Sequence, residues 1–163
     1  MEHDPRRAER FEHERGRLAQ VLGGLAVAIE HVGSTAVPGL AAKPILDIMV
    51  GVERTPLPER TLVALGALGY QYRGDSGVPG KQYFRTNPRT RHLHVVAFGA
   101  EDWARTLAFR DYLRAHPAAV QEYAALKRDL ARLHRDNRSR YLEGKASFIQ
   151  SVLERAEAGG PER

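Results

Sequence analysis

The sequence predicts an α+β fold: a small mixed β-sheet preceded by an N-terminal helix and followed by a C-terminal helical layer. Two observations carry this. Strand-like runs are confined to the first hundred residues, whereas the pattern from Glu101 onward is helical throughout. With 163 residues, 42% of them hydrophobic, the chain is long enough for one compact domain that buries roughly 70% of its unfolded surface. That domain is expected over residues 1–158, with a frayed tail over 159–163.

The elements follow in order. Residues 5–22 have helical periodicity and a charged face built from Arg6, Arg7, Glu9, Arg10, Glu12, Glu14 and Arg15, and Gly23-Gly24 stops them. Ala26–Val32 reads as a strand, Gly33–Ala42 as a loop punctuated by Gly and Pro, and Pro44–Val52 as the most strand-like run in the chain. Thr55-Pro56-Leu57-Pro58 opens a helix that runs to about Leu68. Strands follow at Tyr70–Arg73, Lys81–Thr86 and His92–Phe98, separated by the turns Gly74-Asp75-Ser76-Gly77 and Asn87-Pro88. Three helices over 101–115, 117–134 and 139–157 complete the chain, with Pro117 suited to the first turn of the middle one.

Composition narrows the function. Without a cysteine there is no disulfide framework and no thiolate zinc site. No export-type apolar segment opens the chain and no stretch approaches ~18 apolar residues, so a cytoplasmic protein with no membrane partner is expected. The net charge is +5, but the arginines are scattered, and their densest clusters, Arg85–Arg91 and Arg128–Arg140, are interrupted by Asp129, Asp136 and neutral residues. That pattern reads as a solvated basic surface rather than the concentrated tract of a specific nucleic-acid binder. Only four of the 25 basic residues are lysines: Lys43, Lys81, Lys127 and Lys145.

The run Pro44–Val52 is apolar on both faces, with Leu46, Ile48 and Val50 on one and Ile45 and Met49 on the other. Asp47 stands in the middle of that second face, where an ionised carboxylate is costly unless paired or metal-bound. It either caps a neighbouring loop or has a function. Upstream, Gly33-Ser34-Thr35 offers close backbone approach, hydroxyls and N–H groups to an anion.

The run Ile29-Glu30-His31-Val32-Gly33-Ser34-Thr35-Ala36-Val37-Pro38-Gly39-Leu40-Ala41-Ala42-Lys43-Pro44-Ile45-Leu46-Asp47-Ile48 resembles the signature of the GrpB family. His92-Leu93-His94-Val95, Phe109–Pro117, Tyr123–Lys127 and Lys145–Phe148 resemble its later blocks. The resemblance implies a nucleotidyltransferase fold of the polymerase-β type, with a Gly-Ser turn on nucleotide phosphates and an acidic set on two magnesium ions. Magnesium or manganese is therefore the expected cofactor, and a nucleotide or phosphorylated small molecule the expected partner. The sequence departs from that pattern at two places: Asp47-Ile48-Met49 supplies one carboxylate where two are expected, and His94 stands where a third acid would. The family's occurrence fused to dephospho-CoA kinase implies a role near cofactor metabolism or an accessory one.

His92 and His94, two apart on a strand, share a face. With Asp47 they make a candidate metal set, and His94 is with Asp47 a candidate catalytic residue; two histidines hydrogen-bonded at a sheet rim explain the spacing equally well. Lys127 falls four residues after Tyr123, Lys145 four after Tyr141, and Arg110 lies among Trp103, Leu107 and Leu113, so basic residues recur on apolar helical stripes. Snorkelling stems or ion pairs with Asp111 or Asp47 account for them, or they converge with Ser34 and Lys43 on a phosphate. Three functional classes stay open: a metal-dependent nucleotidyltransferase, a nucleotide- or phosphometabolite-binding or accessory module, and a His/His/Asp transition-metal protein.

Overall fold

Alternation of side chains along two central strands organises the chain. In the computed structural model, which describes residues 6–159, helix α1 (Arg7–Leu22) leads into strand β1 (Ala26–Val32), a 3-10 turn at Ser34–Ala36 and strand β2 (Leu46–Val52). Helix α2 (Glu59–Ala67), strands β3 (Gln71–Tyr72), β4 (Gln82–Arg85) and β5 (Arg91–Ala97), and helices α3 (Glu101–Ala115), α4 (Pro117–Leu133) and α5 (Arg138–Gly159) follow. The sheet is mixed, in the order β1-β2-β5-β4-β3, with β2 and β5 parallel and the other pairs antiparallel.

The chain divides into two compact units, Met1–Ala104 and Arg105–Arg163. In the first, Leu46, Ile48, Val50 and Val52 of β2 and Leu93 and Val95 of β5 point to one face, where they join Phe84 and Phe11, Leu18, Leu22 and Leu65 from α1 and α2. Ile48, Val50, Leu65, Leu93 and Val95 are wholly buried there, each worth about 1.5–3 kcal/mol of apolar burial. In the second unit Tyr123 of α4 stacks on Phe148 of α5, and Phe109 of α3 meets both edge-on. Gly144 lets α5 approach α4, since a Cβ there would stand 2.6 Å from Leu130.

The α+β class and the element order match the expectation; the boundaries differ where backbone chemistry intervenes. Proline 44 has no N–H for the ladder, and Ile45 closes a tight turn onto the Lys43 carbonyl at 2.7 Å, so β2 begins only at Leu46. Pro58 caps α2 in an extended conformation, so the Thr55–Pro58 segment precedes the helix rather than forming its first turn. The expected strand Tyr70–Arg73 shrinks to two residues, although Arg73 still donates to the Tyr83 carbonyl at 2.7 Å. α5 runs to Gly159, and the rest of the expected frayed tail lies outside the described residues.

Candidate functional site

The face of the sheet opposite the core gathers polar groups. Parallel pairing sets Asp47 of β2 level with His92 of β5, and Met49 level with His94. Because β5 alternates, Arg91, Leu93 and Val95 face the core, while His92 and His94 face the other way and bracket Asp47. His92 Nδ1 donates to Asp47 Oδ1 at 3.1 Å, and His94 Nε2 stands 3.5 Å from the same oxygen. The three side chains keep between 20% and 28% of their surface exposed.

Two opposing effects act on the Asp47 carboxyl. Burial pushes it up, but the hydrogen bonds and positive charge of His92 and His94 outweigh burial and hold it down at about 2. An ionised carboxylate only accepts, so the ring nitrogens facing it carry the protons. That leaves His92 Nε2 and His94 Nδ1, both buried and without a hydrogen-bond partner. Tyr83 of β4 lies against both imidazoles, with ring centroids 5.7 and 5.2 Å away.

The turn after β1 completes the cluster. Gly33 has φ +76°, and a Cβ there would stand 2.7 Å from Asp47 Oδ2, so both its conformation and its surroundings demand glycine. Ser34 beside it is half-buried. Thr35 is turned the other way: its hydroxyl stands 2.9 Å from His31 Nε2 inside the protein, and His31 stacks on Phe11. The Thr35 hydroxyl is therefore committed to the fold. Arg7, itself buried, donates to the carbonyls of Leu40 and Ala42 and so holds the loop that leads from this turn into β2.

Of the other residues expected at the site, Lys43 is exposed on that loop. Arg110, Lys127 and Lys145 belong to the second unit. There Arg110 donates through Nε and Nη2 to Asp111 Oδ1 at 2.9 and 2.8 Å, while Lys127 lies 5.0 Å over the Tyr123 ring and Lys145 5.6 Å over that of Tyr141. These contacts fall one or four residues away along the chain.

The sequence reading passed over three residues of this face. Tyr83 and Arg85 point to it, because β4 pairs Tyr83 with His94 and Arg85 with His92. Lys81, one residue before β4, continues the alternation; its Nζ stands 3.9 Å from Asp102, with 11% of the side chain exposed. Burial pushes its ammonium down, against the pull of Asp102 and Asp47.

These donors suit a pair of hard cations poorly. Magnesium and manganese take several carboxylate and water oxygens, whereas the Oδ1 of Asp47 already accepts from both imidazoles and Met49 takes the next outward place on β2, with Glu30 of β1 level with Met49 as the other carboxylate of this face. Among the described residues no group of three or more His, Asp or Glu stands ready to hold a metal ion.

The fold and this face define a class: an α+β protein whose Gly-Ser turn packs against a strand aspartate clasped by two histidines. The GrpB protein family model matches residues 1–155, and the chain belongs to the GrpB family. It is 41% identical over 151 residues to the UPF0157 protein YqkA of Bacillus subtilis, covering 91% of this chain but only 44% of that relative's length. The crystal structure of GrpB from Enterococcus faecalis superimposes with a TM-score of 0.89 at 38% identity, covering 99% of both chains. A weaker similarity, 25% over 170 residues, links 86% of this chain to 42% of a Mycobacterium leprae protein named dephospho-CoA kinase.

Proposed function

We propose that the protein binds a nucleotide or another phosphorylated metabolite on the Asp47 face, using a nucleotidyltransferase-type fold for recognition rather than for two-metal phosphoryl transfer. The observation that carries this reading is the pair of buried, unpartnered imidazole nitrogens, His92 Nε2 and His94 Nδ1, beside an ionised Asp47. Buried polar atoms without a partner are rare and call for an explanation, and a bound polar ligand supplies one. The Gly33-Ser34 turn adds a stretch of backbone that a phosphate can approach closely. The M. leprae relative's name supports a phosphate-bearing ligand class. The engagement of Asp47 Oδ1 with both imidazoles, and Met49 in the next outward place, level with Glu30, argue for binding over catalysis.

A thermal-shift panel of nucleoside mono-, di- and triphosphates and dephospho-CoA, each with EDTA and with Mg²⁺ or Mn²⁺, tests the proposal. A true ligand at a hundredfold excess over Kd adds about 2.7 kcal/mol, a rise of roughly 5–10 °C for a chain of this size. The shift is expected to persist in EDTA. No shift with any phosphate-bearing compound overturns the reading; a shift that requires the metal revives the transferase.

A further inference from the structure

Strand β4 and the residue before it present an outward row of three residues, Lys81, Tyr83 and Arg85. The pairing of β4 with β5 sets Arg85 level with His92 and Tyr83 level with His94, and the same alternation brings Lys81 onto this face one step further along. Arg85 is half-buried, and its guanidinium makes no hydrogen bond or ion pair among the described residues. Lys81 keeps 11% of its side chain exposed; Asp102 and Asp47 both attract its charge, and Asp102 Oδ2 lies at 3.9 Å, beyond hydrogen-bond range. Asp102 sits in the first turn of α3, where the helix dipole already favours a negative charge. Two cations thus flank the Tyr83 ring, their own donors unspent.

Asp47 attracts Lys81 through charge but spends its hydrogen bonds on the histidines. Its Oδ1 accepts from the histidines and its Oδ2 lies against Gly33. His92 turns Nδ1 toward β2, and its neighbour on the β4 side is Arg85. A planar guanidinium next to an imidazole with an unpartnered nitrogen is well suited to phosphate, which accepts two parallel N–H bonds from Arg. A lysine at the far end of the row adds a point charge for a second anionic group, four residues or roughly 13 Å along the strand.

We infer that the row Lys81–Tyr83–Arg85 is the anion-recognition strip of this face, with Arg85 and Lys81 receiving phosphate oxygens of the ligand while Tyr83 backs the two histidines. This deepens the proposed binding function and rests on it: the ligand class is a metabolite with an extended di- or polyphosphate, or with two separated phosphates.

The test titrates the wild type, Arg85→Met, Lys81→Met and Arg89→Met with ADP and with inorganic pyrophosphate by calorimetry. Arg89→Met removes the same charge at an exposed position four residues from Arg85. Arg85→Met is expected to weaken binding at least tenfold, and Lys81→Met several-fold, with Arg89→Met matching the wild type. If the wild type binds and all three variants bind equally, the strip is wrong and the binding function stands. If the wild type binds neither probe nor any compound of the panel, both fall. Should Lys81→Met fail to fold, acetic anhydride labelling of the wild type read by mass spectrometry decides its role: ADP must slow acetylation of Lys81, and unchanged labelling overturns its place in the strip.

Discussion

Arg91 and His92 are neighbours in β5, yet they serve carboxylates on opposite faces of the sheet, and the two clusters differ in one respect. On the core side, Glu14 of α1 accepts from Tyr70 Oη at 2.7 Å, Arg91 Nη1 at 2.8 Å and Arg17 Nη1 at 3.0 Å, while Arg91 Nη2 donates to the Leu68 carbonyl. Burial and the bond to Glu14 push the Tyr70 phenol far above its ordinary range, so it remains a donor at any working pH. On the other side Asp47 engages two imidazoles whose far nitrogens have no partner. Buried carboxylate networks thus occur on both faces. The one that ties α1, Tyr70 and β5 together spends its donors on the fold except for Arg91 Nε, and the one beside the Gly33 turn leaves a ring nitrogen of each of its two histidines without a partner.

Substitutions can break or sharpen that contrast. The largest effect is expected on the core face: Ile48→Ala leaves a cavity under a wholly buried residue and costs about 4 kcal/mol in urea unfolding, with the ligand response intact. Glu14→Gln strands Arg91 and Tyr70 with an amide and costs about 3 kcal/mol, again without loss of ligand response. Asp47→Asn removes a carboxylate whose folded-state pKa lies near 2 against an ordinary 3.8, which corresponds to about 2 kcal/mol.

The same shift fixes the pH dependence. A depressed carboxyl contributes stability that is fully present above pH 3.8 and is lost as the pH falls toward 2. Acid titration of the wild type is therefore expected to show a loss over that window which Asp47→Asn lacks. Smallest, Tyr70→Phe deletes one buried hydrogen bond to Glu14 and costs about 1 kcal/mol by thermal melt, because Arg91 and Arg17 still satisfy the carboxylate.

Much of this was legible in the chain. Period-2 alternation in Leu46–Val52 marked Asp47 as the polar intruder on a strand, and the His-x-His spacing put both imidazoles on one side. Gly33 was legible as a point of close approach, though not that it meets Asp47 itself. Strand order and register were not legible, and Lys81, Tyr83 and Arg85 depend on both: they reach the site only because β4 pairs with β5. The contact of the Thr35 hydroxyl with His31, four residues earlier, was not legible either, since it depends on the 3-10 turn. Arg91 meets Glu14 across 77 residues, a partnership that no spacing in the sequence encodes.

The contrast between the two carboxylates is tested most directly by the ligand-induced rise in melting temperature, measured with saturating ADP in EDTA for wild type, Glu14→Gln and Asp47→Asn. The account predicts that Glu14→Gln melts lower but keeps the full wild-type rise, whereas Asp47→Asn stays folded and loses it. Equal rises in both variants, or no rise in the wild type with any phosphate-bearing compound, would contradict it.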